Sequence, residues 1–268
     1  MGWRRCIPVV EAFGRVTPKV IPMAKYVAVI PCYNHPKTIG LMVQSVVDRG
    51  LPVVIVDDGS NAECAEVLGQ VAQKHEGLTY LVRLKVNQGK GGAVSAGLRE
   101  ALTLGFTHAL QIDADGQHDV NDIPNFLQTS MVNLNAVICG HPIYDESVPK
   151  GRLYGRYATH IWIWINTLSL DIRDSMCGFR VYPLQPVVDL INQVHVGSRM
   201  DFDPEVLVRL HWRGIRVVNV ATKIRYPLDG VSHFKVLLDN VLISKMHARL
   251  FFGMLARLPL IFWKRLAR

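Results

Sequence analysis

Residues 109–119 read ALQIDADGQHD. The apolar residues that lead into this stretch are typical of a buried strand, and they end in two carboxylates one residue apart, Asp113 and Asp115. Because alternate residues of an extended chain point the same way, both carboxylates can face one crevice at the carboxyl end of the strand. Mg²⁺ takes oxygen ligands, usually one or two carboxylates together with substrate phosphates. The stretch therefore predicts a seat for a divalent cation that carries a diphosphate; the alternative is a polar turn that caps the next helix through Asp119 or Asn121.

The composition describes a chain with a large buried core. It has 268 residues, 49% of them hydrophobic and 19% charged, which is enough for one large α/β domain. The formal net charge of +8 indicates an anionic partner: nucleic acid, nucleotide phosphates or an anionic membrane surface. The five cysteines are scattered and form no Cys-x-x-Cys pair, which argues against a disulfide framework or a zinc site and favours a reducing, cytosolic setting.

Strands alternate with helices over the first half of the chain. Apolar, β-branched runs predict strands at about 26–31, 53–56, 78–84, 106–112 and 136–139, and helical periodicity predicts helices at about 38–47, 61–75, 90–104 and 121–131. This alternation predicts βαβ units and a largely parallel sheet. Later in the chain, a helix ending near Arg213 and two strands, 216–220 and 222–225, are expected.

Polar residues lie just past the predicted strand ends. In open α/β sheets, ligands bind outside the carboxyl ends of the strands, so these residues should converge on one crevice. Either Asp57 or Asp58 can accept a hydrogen bond from a ribose or a base edge, although the alternative is that they cap the next helix. Lys90 opens a glycine-rich helix start, where free N–H groups and the helix dipole favour phosphate. The convergent set is Asn34, Asp57, Asp58, Asn87, Lys90, Asp113 and Asp115.

Five segments carry a resemblance to a known family: VIPCYNHPKTI, VDDGS, NQGKGGAV, QIDADGQHDVNDI and DSMCGFRVYP. In order and spacing they resemble the family 2 glycosyltransferases of the GT-A fold, over about Tyr26 to Tyr226. The closest branch is that of the dolichyl- or polyprenyl-phosphate mannosyl- and glucosyltransferases, with bacterial relatives in lipid-linked pathways. The resemblance implies an α/β GT-A fold whose mostly parallel, Rossmann-like sheet is flanked by helices.

The resemblance also implies a reaction and the residues for it. The chain would be a metal-dependent inverting enzyme that moves a sugar from a UDP- or GDP-sugar to a lipid-linked acceptor such as polyprenyl phosphate. Asp113 and Asp115 would coordinate Mg²⁺ or Mn²⁺ with Gln117 nearby, and Asp115 is also assigned a catalytic role. The residues assigned to the nucleotide sugar are Pro31, Tyr33, Asn34, Asp57, Asp58, Lys90, Asp113 and Ala114.

The second half of the chain supplies candidates for the acceptor. In this branch basic side chains that follow the fifth strand bind the acceptor phosphate, and we assign this role to Arg152 and Arg156. Asp174 matches an acidic position before the Gly-Phe-Arg turn and is a candidate base or acceptor-positioning residue. The Glu-Asp pair of many hydroxyl-glycosylating members is absent, which favours a phosphate acceptor that needs no deprotonation. Further acceptor contacts are assigned to Arg180, Asp201 and His233, although Asp201 instead has the option of capping a helix.

The two ends of the sequence are interpreted separately from the domain at 25–230. Residues 1–24 contain several prolines and no continuous apolar core, so we expect an N-terminal arm rather than a signal peptide or a transmembrane helix. Residues 231–268 form a predicted basic, amphipathic helical tail. Its apolar run 250–263 is too short to span a bilayer and is expected either to lie in a membrane interface or to pack on the protein.

These expectations place the protein in the cytoplasm, peripherally on the inner face of the cell membrane. Transfer to a hydroxyl of another lipid or glycan is the nearest alternative function. A nucleotidyltransferase would share the sheet and the metal but would need a glycine-rich basic signature after the first strand, where the chain has Pro31-Cys32-Tyr33-Asn34. A nucleic-acid-binding protein is suggested by charge alone, and since no nucleic-acid motif is found, no nucleic acid is expected as a partner.

Overall fold

The computed structural model describes residues 24–143, 150–224 and 234–259, with side chains from residue 155 onward in the second range. The strands are β1 (Tyr26–Cys32), β2 (Val53–Asp57), β3 (Thr79–Arg83), β4 (His108–Gln111), β5 (Ala136–Ile143), β6 (Arg180–Pro183) and β7 (Arg216–Lys223). The helices are α1 (Pro36–Val47), α2 (Ala62–Lys74), α3 (Lys90–Thr103), α4 (Ile123–Met131), α5 (Lys150–Thr167), α6 (Leu184–Gln193), α7 (Phe202–Trp212) and α8 (Val236–Leu255).

The seven strands within the described ranges form one sheet in the order β3-β2-β1-β4-β6-β5-β7. Every neighbouring pair is parallel except the two that involve β6, which runs antiparallel to both β4 and β5. Consequently β1, β2, β4 and β5 point the same way, and the loops that follow them meet at one edge. The pairing of Cys32 with Asp57 shows that β1 and β2 end level with each other. The predicted α/β fold, with a mostly parallel sheet flanked by helices, is confirmed.

Both faces of the sheet are covered, as the continuous apolar runs predicted. Along β1, Val27 and Val29 face the core shared with α3, α6, α7 and α8, whereas Ala28 and Ile30 face the core shared with α1, α2 and α4. All four side chains are completely buried. Since burying a valine or isoleucine side chain contributes roughly 1.5–3 kcal/mol, Val27, Val29 and Ile30 each stabilise the sheet.

The second half of the chain departs from the sequence-based expectations. The residues after the Gly-Phe-Arg turn form β6 and α6, neither of which was predicted. The two late strands are a single strand, β7, because it pairs with β5 without interruption from Arg216 to Lys223. Helix α8 packs on α5 and α7. No helix in the described ranges is long and apolar enough to cross a membrane.

Candidate active site

Hydrogen bonds tie together the loops at the carboxyl edge of the sheet. After β1, Asn34 has a left-handed backbone (φ +55°), and its side chain accepts a hydrogen bond from the Asn61 N–H at 2.8 Å. The Asn34 N–H in turn donates to Ser60 Oγ at 3.1 Å. Thr38 Oγ1 donates to the carbonyl of Ala114 at 2.7 Å. The structure therefore brings together the loops predicted to bind the nucleotide sugar, with Pro31, Tyr33 and Asn34 partly exposed beside them.

Asp58 holds the glycine-rich loop before α3. Its carboxylate accepts hydrogen bonds from the N–H groups of Gln88 (2.7 Å) and Gly89 (2.9 Å) and from Asn87 Nδ2 (3.0 Å). The side chain is almost completely buried, and this burial raises the pKa of Asp58 to about 6 despite the three donors. A further N–H group at this helix start, that of Gly92, donates to the Ser198 carbonyl at 2.9 Å. The expectation that free N–H groups at this helix start bind phosphate is therefore wrong for the backbone amides of Gln88, Gly89 and Gly92.

Asp57 shapes the turn that follows β2. One carboxylate oxygen accepts from the Ser60 N–H at 2.9 Å, and the other accepts from Arg83 Nη1 at 2.9 Å. Both acidic residues of the VDDGS segment therefore already bind protein donors. Each carboxylate oxygen can accept more than one hydrogen bond, so a nucleotide contact for either residue stays a prediction.

Lys90 pairs with two carboxylates from different parts of the chain. Its ammonium lies 2.8 Å from Asp113 Oδ2 and 3.1 Å from Asp203 Oδ2. Burial alone would lower the pKa of Lys90, but the two carboxylates outweigh it and raise that pKa above its ordinary value. Asp203 Oδ1 also accepts from Gln111 Nε2 at 3.1 Å. The lysine thus joins the loop that follows β4 to the first turn of α7, a contact that nothing in the sequence spacing indicated.

The Asp-x-Asp pair retains capacity for a cation. Asp113 Oδ1 is buried and has no hydrogen-bond partner among the described residues, because the Lys90 contact is made through Oδ2. Burial opposes ionisation of Asp113, yet Lys90 and His118 bring its pKa well below the ordinary value. The pKa of Asp115 is raised, first by burial and then by the charge of Asp113. A divalent cation would relieve this repulsion, so the residues present fit the metal that the resemblance implies.

The protein groups in the described ranges do not complete a metal site alone. No set of three or more His, Cys, Asp and Glu side chains there is arranged to hold a metal ion. Two carboxylates completed by substrate phosphates are nevertheless the usual arrangement for Mg²⁺ in phosphate-handling sites. Gln117 is partly exposed, and its N–H donates to Asp115 Oδ1 at 3.0 Å, which fixes the second carboxylate.

His118 belongs to this site although the sequence analysis assigned it no role. Its Nε2 lies 3.6 Å from Asp113 Oδ2, and its ring packs against Phe179 with centroids 5.3 Å apart. The backbone of His118 also bridges to Ile224, directly after β7. The only available signal was its position, since it follows Gln117 in the stretch that carries the two carboxylates.

Asp174 anchors a second, basic cluster. Arg156 binds its carboxylate through Nε (2.6 Å) and Nη2 (2.8 Å), and His160 Nε2 lies 3.4 Å from Oδ2. Burial opposes ionisation of Asp174, but His160 and Arg156 bring its pKa well below the ordinary range. A carboxylate with so low a pKa is a weak base. Of the two roles expected for Asp174, the structure therefore favours positioning, with Arg156 as the group that it positions.

Two predicted acceptor residues do not reach the surface of the site. Arg180 is completely buried, and its guanidinium donates to Tyr182 Oη, the Asp203 carbonyl and the Ser175 carbonyl. The expected acceptor contact of Arg180 is therefore wrong. Its guanidinium instead links the segments that carry Ser175 and Asp203. Asp201 is 6% exposed and accepts from the Arg199 N–H at 3.1 Å. Asp201 stands directly before α7, but its side chain makes no cap hydrogen bond there, so the capping alternative is also wrong.

Two more predictions fall outside the described structure. Arg152 lies in α5, but its side chain is not among those described, and His233 lies outside the described residues altogether. The same holds for residues 1–23 of the proposed N-terminal arm and for residues 260–268 of the proposed tail.

Comparisons with known proteins agree with this geometry. The family model described as Glycosyl transferase family 2 matches residues 27–187. Uncharacterized protein MJ0544 of Methanocaldococcus jannaschii is 26% identical over 214 residues, covering 77% of this chain and 91% of that protein. The dolichyl-phosphate beta-glucosyltransferase of Dictyostelium discoideum is 28% identical over 180 residues, covering 63% of this chain but only 53% of the relative. The human protein of that name is 27% identical over 224 residues, covering 75% and 67%.

Solved structures establish the fold. The glucosyl-3-phosphoglycerate synthase of Mycobacterium tuberculosis, solved with Mn²⁺ and UDP-glucose, superimposes with a TM-score of 0.62 at 14% identity, covering 87% of this chain and 79% of that one. The mannosyltransferase PcManGT of Pyrobaculum calidifontis, solved with GDP-Man and Mn²⁺, gives a TM-score of 0.56 at 15% identity, covering 87% and 64%. The GT-A fold implied by the resemblance is confirmed.

Proposed function

We propose, from the premise that this chain belongs to glycosyltransferase family 2, that it transfers a sugar from a nucleotide-diphosphate sugar to a lipid-linked phosphate with inversion at the anomeric carbon. The glycosyltransferase class follows from the family. The metal, the acceptor and the stereochemistry are our proposal. Relatives named dolichyl-phosphate beta-glucosyltransferase make a polyprenyl phosphate the first acceptor to test. The solved glucosyl-3-phosphoglycerate synthase, which holds UDP-glucose, makes that nucleotide sugar the first donor to test.

One observation carries the proposal: the segment from Asp174 to Gly178 joins the two halves of the site. At its beginning, Asp174 fixes Arg156. At its end, Gly178 lies directly over the carboxylate of Asp113, because a Cβ atom added there would come within 2.5 Å of Asp113 Oδ2. One five-residue segment thus contacts both a seat for a cation and a cationic side chain, which suits a reaction between a diphosphate sugar and a second phosphate.

The charges of the site suit such a displacement. A divalent cation bound by Asp113 and Asp115 would neutralise the leaving diphosphate. Arg156 would hold the acceptor phosphate with one oxygen towards the anomeric carbon. That oxygen forms the new bond to carbon from the face opposite the diphosphate, whose oxygen keeps the electron pair of the broken bond. A phosphate is already an oxyanion at neutral pH, so no base is needed, and this agrees with the low pKa of Asp174.

A membrane surface is the proposed location of the acceptor, on the cytoplasmic side. The outward face of α8 is apolar: Leu237 is 82% exposed, Val241 41% and Phe252 68%. The charged residues exposed between Lys235 and Arg257 are all basic, since the acidic residue of α8, Asp239, is buried and paired with Arg199 at 2.8 Å. On α5, Ile161 and Trp162 are also exposed. An apolar face with basic and no acidic charges suits an anionic lipid interface.

The direct test is transfer by the purified full chain. UDP- and GDP-sugars would be offered with Mn²⁺ or Mg²⁺, with and without polyprenyl phosphate, beside an Asp115→Ala variant and an Asp48→Ala control at an exposed, remote position. We expect metal-dependent turnover that the lipid phosphate raises, that Asp115→Ala loses and that Asp48→Ala retains. Turnover indifferent to the lipid would replace the phosphate acceptor by a hydroxyl, and neither binding nor turnover with any donor would overturn the proposal.

A further inference from the structure

We propose that Lys90 is a positioning residue for the metal-binding carboxylate of Asp113 rather than a ligand of the donor phosphates. This inference rests on the proposed function, because it concerns the cation seat of the same site. It replaces the interpretation that the glycine-rich sequence around Lys90 suggested.

The Lys90 side chain is directed at two carboxylates. A phosphate-binding lysine points its ammonium into the crevice, whereas the Lys90 ammonium is 2.8 Å from Asp113 and 3.1 Å from Asp203. The Gly178 backbone covers it, because a Cβ atom added to Gly178 would lie 2.6 Å from Nζ. Only 16% of the Lys90 side chain is exposed. The ammonium is therefore enclosed between two carboxylates and a backbone segment.

The backbone on both sides of Lys90 is tightly packed. On one side of it, a Cβ atom at Gly89 would come within 2.6 Å of the Ser198 carbonyl oxygen. On the other side, a Cβ atom at Gly91 would come within 2.4 Å of the Cβ of Phe202. These glycines let the start of α3 lie directly against the segment that leads into α7. Their role in this structure is close packing, which fixes the origin of the lysine side chain.

The hydrogen bond from Lys90 distinguishes the two oxygens of the Asp113 carboxylate. Lys90 takes Oδ2 of Asp113 and leaves Oδ1 buried without a hydrogen-bond partner among the described residues. Asp203 is itself fixed by Gln111, so the lysine has a rigid support on its far side. The ammonium thus holds Asp113 in one orientation. It also keeps the carboxylates of Asp113 and Asp203 together, which would otherwise repel each other. Groups that orient a metal ligand in this way commonly decide its affinity.

Binding of Mn²⁺, measured first without nucleotide and then with saturating UDP, tests the inference. Free Mn²⁺ would be titrated by electron paramagnetic resonance against the full chain and its Lys90→Met, Asp203→Asn and double variants, with folding checked by circular dichroism. Lys85→Met, which removes an exposed lysine five residues away, is the matched control. Removing a positive charge next to a cation would by itself tighten binding. A loss of affinity therefore reports a lost support of the Asp113 carboxylate and not the lost charge beside the cation.

We expect Lys90→Met to weaken Mn²⁺ binding by about 10- to 100-fold, the usual effect of removing a support of a metal ligand. Asp203→Asn should weaken it less, and the double variant should be no worse than Lys90→Met, because both changes act through the same ammonium. Unchanged or tighter Mn²⁺ binding by Lys90→Met, with weaker UDP binding in the presence of Mn²⁺, would overturn the inference in favour of a phosphate contact. A wild-type chain that binds no Mn²⁺ with or without UDP would instead remove the proposed function.

Discussion

Arg156 binds Asp174 through two hydrogen bonds, from Nε at 2.6 Å and from Nη2 at 2.8 Å, and Asp174 is almost completely buried. Breaking such a pair from one side leaves a buried charge uncompensated, which costs roughly 3–5 kcal/mol. His160 and two backbone N–H groups also contact Asp174, so we expect Arg156→Met to lower the free energy of unfolding by about 3 kcal/mol, near the bottom of that range. Urea unfolding at neutral pH measures this, with the exposed Arg173→Met as control.

The same pair predicts how the loss depends on pH. The pKa of Asp174 is lowered in the folded chain, so its contribution to stability is present above the ordinary aspartate pKa of 3.8 and is lost as the pH falls through the lower, folded value. The difference between wild type and Arg156→Met should thus be complete near neutral pH and shrink in acid. A difference that grows in acid would contradict the assigned pairing.

Arg156 also predicts a kinetic effect that separates acceptor from donor. If the guanidinium holds the acceptor phosphate, Arg156→Met should raise the KM for polyprenyl phosphate by about tenfold or more, the cost of one charge-assisted hydrogen bond. The KM for the nucleotide sugar should stay close to the wild-type value. Initial rates with each substrate varied in turn measure both constants. Equal increases in both KM values, or an increase in the KM for the nucleotide sugar alone, would indicate that Arg156 contacts the donor.

Gly178 gives the most local test of the cation seat. A methyl group at this position would lie 2.5 Å from Asp113 Oδ2 and 2.6 Å from Lys90 Nζ, so Gly178→Ala must displace one of them. We expect metal-dependent turnover to fall by about two orders of magnitude, as small misplacements in active sites do. Gly155→Ala is the matched control, because a Cβ atom there meets nothing within 4 Å. Wild-type turnover by Gly178→Ala would show that the cation does not bind at Asp113.

The sequence predicted the first half of the fold well because its signals are local. Buried parallel strands are short apolar runs, and each is followed by a polar turn that can be recognised without its neighbours. Strand β6 gives no such signal: Arg180–Pro183 contains an arginine that is completely buried. Its partners Tyr182 and Ser175 are close in sequence, but the Asp203 carbonyl lies 23 residues further along the chain. A buried charge of this kind depends on tertiary partners that a linear pattern does not contain.

The difference between local signals and tertiary partners also applies to the site. Asp113 and Asp115 were found because their spacing already implies a shared face of one strand end. The pairing of Lys90 with Asp203 joins residues 113 positions apart, and the contact of His160 with Asp174 spans a helix and a loop. Glycines were interpreted as a phosphate-binding signal, whereas Gly89 and Gly91 serve close backbone packing. Residue type indicated that a site exists, but only the fold shows which charges neutralise each other.

The apolar face of α8 predicts association with lipid. Replacing Leu237 and Val241 together by glutamate puts two negative charges on that face, and both side chains are exposed, so the fold should persist. We expect the double variant to lose most of its co-sedimentation with anionic vesicles while wild type binds them. Val132→Glu, at a 78% exposed position after α4, is the control and should bind as wild type does. Vesicle binding unaffected by the double change would assign the lipid contact elsewhere.

Asp58 predicts a pH dependence of opposite sign to that of Asp174. Its pKa is raised to about 6 in the folded chain from an ordinary value of 3.8, so between these values the folded state binds more protons than the unfolded state. The free energy of unfolding should therefore fall as the pH rises from 4 to 6, by at most about 3 kcal/mol for a shift of this size. Asp58→Asn cannot ionise and should remove this slope, whereas the exposed Asp48→Asn should keep it. Denaturant unfolding across that pH range would contradict the assignment if wild type and Asp58→Asn gave parallel curves.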